Sequence, residues 1–537
     1  MEAKKFFLEA NNIFRLLLEF PRWQDAALAL FSTFLLIFSF PDFELWYLAW
    51  LAFLPLFVAI ERNKRSVVKS FWLGWLSGTV FFYGSCWWLT YAPIHYGGIP
   101  TLVSYFLLFP ACLGAGFFTA IFAAFLSRLL NKFGSLAIFL APVIWTATEF
   151  LRLLTTGNAW NAVGYSQAFK PFLIHAAAFG GVFVVSFFVV GGSAAIFYLL
   201  LNKNKNAFAY SLTAIVFISL CVLSSRMLNP HTDSCSKYCA FVVALQPNVP
   251  MSDLMLEDYR ALRRKHIEMA ETALKEIDEG SDSKDQPKIV VFPESPMNFE
   301  YAHDSEFREF IREFTLRNHV SLIFNAAEPT ALEDGYHNSA VMLNERGEKI
   351  VQYDKIRLVP FGEFVPDWLP GGNYLPTVVG RTRPGKNFRL MPLGSRVRAG
   401  TLICYESAFG DLSSGFVENG ADVLIEMTND GYGGPTPILR QHLANAVFRA
   451  VETNRPVLRV TNVGITARIN QSGEIFDATE SYTTATRVWT IEKSDGRETF
   501  YVRYGDLFAW ICTILSLLLL GLTFIKSKLL RRKDAGE

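Results

Sequence analysis

The sequence predicts a multi-span helical membrane domain, one aqueous α/β domain and a final membrane helix. Three observations support this fold class. Only 18% of the 537 residues are charged, whereas a soluble domain carries about 25%. Eight apolar stretches approach or exceed the roughly 20 residues that a helix needs to cross a bilayer. None of them lies within residues 227–506, a segment long enough to bury its own core.

These stretches define the predicted domains. Residues 1–25 are expected to form an interfacial helix, because large apolar side chains are set among basic ones. The other predicted domains are a membrane domain of seven helices at 26–226, the aqueous domain at 227–506, a last membrane helix at 507–526 and a basic cytoplasmic tail at 527–537. The predicted spans are 26–42, 46–60, 70–92, 101–127, 134–152, 172–200, 207–226 and 507–526.

The placement of Lys and Arg predicts the orientation, because short cytoplasmic loops are rich in them. Residues 62–69, after the second span, contain four basic side chains, and Lys203 and Lys205 follow the sixth. The loops at 42–44 and 94–100 contain no Lys or Arg. Both termini are therefore expected in the cytoplasm, with the aqueous domain on the outer face.

Net charge and cysteine content narrow the class of protein further. The formal net charge is only +1, which argues against a nucleic-acid partner, since such binding needs a concentrated basic face. Seven cysteines in a chain of this size do not indicate a disulfide framework. Cys235 and Cys239 lie on the predicted outer side, where they could pair or stay free. Cys404 stands apart from the others.

Strand-like and helix-like runs alternate through the aqueous domain, which predicts helices covering sheets. Strands are predicted at 238–246, 288–292, 321–325, 340–344, 349–353, 398–404, 421–427, 456–462 and 467–470, and helices at 258–276, 305–318 and 438–453.

Three of these strands end at residues with catalytic chemistry. Glu294 follows the strand near 290, Lys355 follows the one near 351 and Cys404 closes the one near 401. Strand ends that gather at one edge are where α/β folds commonly build sites. A lysine cation would favour the thiolate, and a buried glutamate could accept its proton. The expected chemistry is acyl transfer through a thioester, with Lys355 and the Tyr405 N–H stabilising the oxyanion.

Each residue taken singly has a more ordinary interpretation. A cysteine at the end of an apolar strand is usually part of the core, a glutamate after Phe-Pro can cap a helix, and a lysine after Tyr-Asp is most often solvated. The prediction of a Glu-Lys-Cys site therefore depends on the three residues occurring together.

At these residues the sequence resembles the nitrilase, or carbon-nitrogen hydrolase, superfamily, whose members share a Glu-Lys-Cys triad on an α-β-β-α sandwich. Within it, the chain is similar to the apolipoprotein N-acyltransferases. The motifs that carry this resemblance are LVPFGEFVP at 358–366, Cys-Tyr-Glu at 404–406, Asn-Asp at 429–430 and Gln-His at 441–442. The arrangement of spans before and after the domain is also similar.

The resemblance implies the last step of bacterial lipoprotein maturation. A phospholipid would donate an acyl chain to Cys404, and the α-amine of an apolipoprotein's diacylglyceryl-cysteine would accept it. Glu294 would be the base and Lys355 the stabiliser of the oxyanion. Supporting or substrate-binding roles would fall to Glu363, Tyr405 and Glu406. The resemblance implies no metal or cofactor. We expect a monomer in the inner membrane with its catalytic domain on the periplasmic face.

Two segments bear on the choice of substrate. The family usually has a small residue, Trp and Phe after Asn-Asp, whereas Gly431, Tyr432 and Gly433 stand here. This departure bears on donor preference more than on the type of reaction. Residues 364–377 combine aromatic and aliphatic side chains with Pro and Gly, so they are expected to form a lid, a lipid-contacting loop or a merely packed Ω-loop.

Three alternatives stay open at the level of sequence. A membrane-tethered amidase or nitrilase would use the same triad with water as second nucleophile. A transporter or receptor is less favoured, because the clear intramembrane charge is Glu149 alone, near a span end. Within the enzyme class, a pair of Cys404 and His442 is a further possible arrangement of the nucleophile and its base.

Overall fold

A computed structural model of the chain describes residues 19–228, 239–252, 254–279, 286–294, 297, 299–330, 335–365 and 382–524. Several predicted features lie outside these residues: most of the interfacial segment 1–25, Cys235, most of the loop 364–377 and the basic tail 527–537.

The N-terminal half is helical at each of its seven predicted spans. Its helices are α1 (Trp23–Ser39), α2 (Ala49–Asn63), α3 (Val67–Ser85), α4 (Tyr91–His95), α5 (Thr101–Phe133), α6 (Ala141–Thr156), α7 (Pro171–Ile174), α8 (Ala177–Asn202) and α9 (Lys205–Leu228). Short 3-10 helices lie at Trp46–Leu48, Trp87–Thr90, Ser135–Leu140 and Val163–Gln167.

The C-terminal half contains twelve described strands and six described helices. The strands are β1 (Cys239–Gln246), β2 (Lys288–Val291), β3 (Ser321–Pro329), β4 (Tyr336–Leu343), β5 (Lys349–Asp354), β6 (Leu390–Leu393), β7 (Val397–Ile403), β8 (Val423–Thr428), β9 (Val457–Thr461), β10 (Ala467–Ile469), β11 (Ile475–Phe476) and β12 (Ala485–Glu492). The helices are α10 (Leu256–Glu279), α11 (Ser305–Asn318), α12 (Gly410–Glu418), α13 (Ile438–Thr453), α14 (Phe500–Tyr504) and α15 (Leu507–Phe524).

Several of the apolar helices can cross a membrane. Among the described residues, five segments are long and apolar enough to do so: Thr101–Phe133, Ser135–Thr156, Ala177–Asn202, Lys205–Ser224 and Leu507–Phe524. The helices α1, α2 and α3 are shorter or less apolar. The protein is therefore a membrane protein, and the count of eight crossings stays a prediction.

Glycines allow α3 and α5 to approach closely. A Cβ on Gly116 of α5 would lie 2.5 Å from the backbone nitrogen of Thr79, and one on Gly78 of α3 would lie 2.7 Å from the Thr119 Cβ. Small residues spaced by four positions bring helix backbones together in membranes, where dispersion contacts replace the hydrophobic effect. The spacing of Gly74 and Gly78 fits this mode of packing.

Two six-stranded sheets form the centre of the α/β domain. Their strand orders are β12-β1-β2-β3-β4-β5 and β11-β10-β9-β8-β7-β6. In each sheet a parallel trio, β1-β2-β3 or β7-β8-β9, is flanked by antiparallel strands. The parallel trios bring the carboxyl ends of neighbouring strands to one edge.

The side chains on the two faces of the first sheet show which layers cover it. In the first sheet Val243 and Val290 pack under α10 and α11 in one apolar cluster. Their neighbours Val242 and Val291 belong to a second cluster that includes Leu402 of β7. Since adjacent side chains of a strand point to opposite faces, the first sheet lies between helices and the second sheet. With α12 and α13 beyond the second sheet, the domain is the predicted α-β-β-α sandwich.

Helix α13 lies between the second sheet and the membrane helices. All its residues except Arg440 are buried, including polar ones such as Gln441, Arg449 and Glu452. A surface helix buries only one stripe, so this pattern shows that α13 is covered on both sides. It therefore joins the two halves of the protein.

The predicted elements of the α/β domain are present, with small changes at their ends. The predictions for α11 and α13 match the observed bounds. The sequence-based prediction missed α12, α14 and the strands β6, β11 and β12. These strands lie at the outer parts of the sheets, and β12 alternates Arg, Thr and Glu with apolar residues, so it lacks a continuous apolar run.

The close packing of α3 on α5 predicts different effects for two glycines of the same helix. Gly116→Ala should lower stability by about 1–3 kcal/mol, since its methyl group would meet the backbone of Thr79. The control, Gly114→Ala, places its methyl group where nothing lies within 4 Å. It should be neutral or stabilising by up to about 1 kcal/mol. Thermal unfolding in detergent micelles measures both, and equal midpoints would contradict the close packing.

Candidate active site

The structure brings the three predicted catalytic residues together from both sheets. Glu294 lies just beyond β2 and Lys355 directly follows β5, both in the first sheet, whereas Cys404 directly follows β7 in the second. The charges of Glu294 and Lys355 both act on the Cys404 thiol. The site therefore occupies the edge where strands of the two stacked sheets end.

Cys404 lies at a sharp turn between strand and helix. It has a φ of 52°, a value that residues with a side chain rarely adopt, and it begins the 3-10 helix Cys404–Ala408. The first N–H groups of a helix have no partner within it. The turn thus presents a partly buried thiol beside the N–H of Tyr405, as an oxyanion site requires.

Lys355 is sealed into the protein beside an acid. Its side chain is 1% exposed, and Nζ lies 2.9 Å from Glu363 Oε1. Burial alone would lower the pKa of Lys355, but attraction from Glu363 and Glu294 outweighs burial and raises it above its ordinary value. The lysine is therefore a fixed cation and is not suited to serve as the base.

Asn338 in β4 links the two acids of the site. Its Nδ2 donates to Glu294 Oε1 at 3.0 Å and to Glu363 Oε1 at 2.9 Å. Its own Oδ1 accepts a hydrogen bond from Asn325 Nδ2 at 2.6 Å. These contacts hold the two carboxylates near each other, where both charges act on Lys355. Sequence reasoning missed Asn338, because an asparagine inside a strand carries no motif of its own.

The charges around Glu294 suit it to move a proton. Burial raises the pKa of Glu294, Lys355 lowers it and Glu363 raises it, with a net upward shift. Burial and Glu294 likewise raise the pKa of the Cys404 thiol, against the attraction of Lys355. The resting pair is therefore a neutral thiol beside a carboxylate whose proton affinity is increased. Transfer of the proton to Glu294 would activate the nucleophile.

Glu406 ties the lysine loop to the cysteine turn. One carboxylate oxygen, Oε1, accepts from the Tyr353 hydroxyl at 2.8 Å, the Ile356 N–H at 2.7 Å and the Arg357 N–H at 3.1 Å. The other, Oε2, accepts from the Ile403 N–H at 2.8 Å. Burial raises the pKa of Glu406 to about 7, against the opposing hydrogen bonds and Lys355. Glu406 is thus a positioning residue that joins the two sheets.

Tyr405 connects the site to the membrane half. Its hydroxyl accepts a hydrogen bond from Asn158 Nδ2, and its ring stacks on Trp160 with centroids 6.3 Å apart. Burial raises the pKa of Tyr405 to about 12. Asn158 and Trp160 belong to the connection between α6 and α8. The residue after Cys404 therefore rests on the membrane domain.

The departure from the family pattern at Gly431, Tyr432 and Gly433 forms part of the same contact. These residues lie in the 3-10 helix Asp430–Gly433. The hydroxyl of Tyr96, the residue directly after α4, donates to the Gly431 carbonyl at 3.0 Å, and its ring meets Tyr432 edge to face at 6.1 Å. Tyr432 lies close enough to Glu294 and Cys404 for their charges to raise its pKa, after burial.

Gln441 of α13 makes the central polar contact between the halves. Its Oε1 accepts from the indole N–H groups of Trp88 and Trp160, each at 3.0 Å. Its Nε2 donates to the Ser85 carbonyl at 2.9 Å. Because the indoles can only donate, they fix the orientation of the amide. Sequence reasoning quoted Gln441 as a motif residue but assigned it no role.

His442 does not contact the thiol as a base would. Its Nε2 lies 3.1 Å from the Cys404 backbone carbonyl, and its Nδ1 lies 2.7 Å from Asp430 Oδ1. Both ring nitrogens are therefore engaged elsewhere. This geometry disfavours the alternative in which Cys404 and His442 form the catalytic pair.

Comparison with known proteins agrees with this combination of domains. The model of the apolipoprotein N-acyltransferase N-terminal domain matches residues 32–195, and that of carbon-nitrogen hydrolase matches 260–499. An apolipoprotein N-acyltransferase of Geobacter metallireducens is 29% identical over 93% of this chain and 95% of its own. The apolipoprotein N-acyltransferase of Allorhizobium ampelinum is 30% identical over 77% of this chain and 78% of its own. That of Thermotoga maritima is 29% identical over 92% of this chain and 93% of its own.

Solved structures align with about half of this chain. An amidase from Nesterenkonia sp. covers 52% of this chain and 98% of its own, with a TM-score of 0.37 and 12% identity.

The fold and the matching families define a membrane-embedded enzyme built on a carbon-nitrogen hydrolase domain. Full-length similarity then specifies the group: the chain belongs to the apolipoprotein N-acyltransferase family. The sequence-based prediction of family, sandwich fold and acyltransferase class is confirmed.

The four hydrogen bonds of Glu406 predict a strong effect of a nearly isosteric change. Glu406→Gln would place an amide N–H₂ against one of its N–H donors, which should cost about 1–3 kcal/mol. We expect a lower thermal midpoint and a slower acyl transfer. The control is Asp411→Asn, which breaks an exposed ion pair with Arg357 and should change stability by less than about 1 kcal/mol. Equal behaviour of the two variants would refute the positioning role.

Proposed function

We propose that this protein transfers an acyl chain from a membrane phospholipid, through a thioester on Cys404, to the α-amine of an apolipoprotein's diacylglyceryl-cysteine. The observation that carries this proposal is the placement of Glu294, Lys355 and Cys404 at one edge of the sandwich, beside the membrane half. Membership of the family supports both substrates.

The first half-reaction would form the acyl-enzyme. Glu294 takes the thiol proton, and the sulfur of Cys404 attacks the ester carbonyl carbon. Lys355 and the Tyr405 N–H stabilise the oxyanion. When the tetrahedral intermediate collapses, its C–O bond breaks, and the departing alkoxide takes the proton from Glu294. The products are a thioester and a lysophospholipid whose released oxygen is a hydroxyl group.

The second half-reaction would reverse the proton path with a new nucleophile. The neutral α-amine attacks the thioester carbonyl while Glu294 accepts a proton from nitrogen. The C–S bond then breaks, and the proton returns to the sulfur of Cys404. The product is an amide, and the enzyme regains its starting state. The raised pKa of Glu294 suits it to both transfers.

Contacts with the membrane half support lipid-anchored substrates. Tyr405, directly after the nucleophile, rests on Asn158 and Trp160, and Gly431 is held by Tyr96. The thioester would therefore form next to the membrane helices, where acyl chains are found. Such a position also favours an amine acceptor over water, because water is scarce there.

We place the catalytic domain on the periplasmic face of the bacterial inner membrane. The basic loop at 62–69 and the basic residues at 203–205 support this orientation, since positive loops stay in the cytoplasm. The proposed acceptor is also a protein that matures on the outer face.

The proposed thioester predicts a mass increase on one cysteine. Incubation with phospholipid should add one acyl chain to the peptide that contains Cys404, with release of lysophospholipid. Cys404→Ala should abolish the release while the protein keeps its thermal midpoint. Cys221→Ala, on α9, is the matched control and should behave as the parent. Acylation of another residue, or turnover by Cys404→Ala, would refute the nucleophile.

The identity of the acceptor has its own test. Adding a diacylated lipopeptide with a free N-terminal amine should give a triacylated peptide in amounts equal to the lysophospholipid released. Free fatty acid in place of triacylated peptide would identify the protein as a hydrolase, like the amidase alternative.

The orientation predicts which positions a membrane-impermeant thiol reagent reaches in intact cells. His303 is exposed and lies just before α11, in the catalytic domain, so His303→Cys should be labelled. Arg65→Cys, in the exposed loop between α2 and α3, should react only after the membrane is permeabilised. The reverse pattern would overturn the proposed topology.

A further inference from the structure

A buried network of four charged side chains lies directly behind the nucleophile. Arg459 of β9 contacts Glu426 Oε1 at 2.5 Å and Asp430 Oδ2 at 2.6 Å. His442 of α13 contacts Asp430 Oδ1 at 2.7 Å and Glu426 Oε1 at 3.1 Å. The four side chains are almost completely excluded from solvent. The proposed chemistry of the triad uses none of them.

The partners of His442 determine its protonation state. Nδ1 faces the Asp430 carboxylate, and Nε2 faces both Glu426 and the backbone carbonyl of Cys404. All three partners are acceptors, and a neutral imidazole has only one N–H to offer. In a neutral imidazole, the lone pair of the unprotonated ring nitrogen would point at an acceptor oxygen in a buried site. The imidazolium satisfies both sides and also balances the network, with two positive and two negative charges.

The imidazolium acts on the peptide that follows the nucleophile. The carbonyl of Cys404 and the N–H of Tyr405 belong to one planar peptide unit. A cation that donates to this carbonyl draws electron density toward oxygen and makes the N–H a stronger donor, as in cooperative hydrogen bonding. That N–H is the proposed oxyanion donor. The contact also holds the carbonyl of a residue whose φ is 52°.

We propose that His442, as an imidazolium held by Asp430 and Glu426, is a positioning residue that strengthens the oxyanion site by donating to the Cys404 carbonyl. It acts through the peptide unit and does not exchange a proton with the substrate. This inference rests on the proposed role of Cys404 as the nucleophile.

The surroundings of His442 set the pH at which this effect should fail. Burial and Arg459 lower the pKa of His442, but Asp430 and Glu426 outweigh them and raise it to about 9. Asp430 stays ionised, because Arg459 and His442 hold its pKa down at about 2 despite burial. The His442 ring also packs against the ring of Trp160, with their centroids 5.7 Å apart. His442 therefore stays charged at neutral pH and loses its proton as the pH rises through about 9.

The test measures the rate of lysophospholipid release in the first turnover as a function of pH. The wild-type rate constant should fall as the pH rises through about 9. His442→Gln keeps an N–H donor near the carbonyl but has no charge. We expect its rate constant to be about tenfold lower at neutral pH. Its alkaline fall should be absent, and KM for phospholipid should be unchanged.

A second variant, Asp430→Asn, changes the pKa of His442 but keeps its imidazole ring. Asp430→Asn removes one anion beside His442, so the pKa of the imidazolium falls and the alkaline limb should move to lower pH. This result would support the proposal even where His442→Gln fails to fold. His303→Gln is the matched control, since the His303 side chain is exposed to solvent. It should leave both rate and pH profile unchanged.

The outcomes separate this inference from the proposed function. Absence of an acyl group on wild-type Cys404 would overturn both. Normal acylation with no alkaline limb near pH 9 in the wild type would overturn the role of His442 alone. The same holds if the limb persists in His442→Gln, or if Asp430→Asn leaves it in place.

Discussion

The active site depends on Glu406, because this carboxylate joins segments that come from different sheets. The lysine loop follows β5 of the first sheet, and the cysteine turn follows β7 of the second. Without a connection the two segments would shift with any sliding of the sheets. Four donors converge on the two oxygens of Glu406, and three of them come from Tyr353, Ile356 and Arg357. These hydrogen bonds add to the apolar packing between the sheets and hold the lysine loop against the cysteine turn.

The sequence alone points to the residues that we propose carry the chemistry. Glu294, Lys355 and Cys404 each follow an apolar strand, and such strands can be recognised from their β-branched residues. The general form of the fold follows from the same alternation of strands and helices. The apolar spans were also recognisable, since a bilayer demands a long run of apolar residues whatever the neighbouring helices are.

The supporting residues could not be predicted, because their roles arise from contacts between distant segments. Asn338 resembles any polar residue in a strand until β4 places it between Glu294 and Glu363. Asn158 and Trp160 are separated from Tyr405 by more than 240 positions. No local period or spacing records such contacts. The strand β12 was missed for the same reason, because its partner β1 lies at the other end of the domain. Its alternation of polar and apolar residues reflects a half-exposed outer strand.

The double burial of α13 has a consequence for how separable the catalytic domain is. A domain that folds by itself ends in a polar surface, whereas the outer side of α13 buries Gln441 and Arg449 against tryptophans and a tyrosine of the membrane half. Cutting the chain between α9 and β1 would leave these groups and their apolar neighbours facing water. Each half therefore serves as part of the other's interior, and neither can be exchanged without redesigning α13.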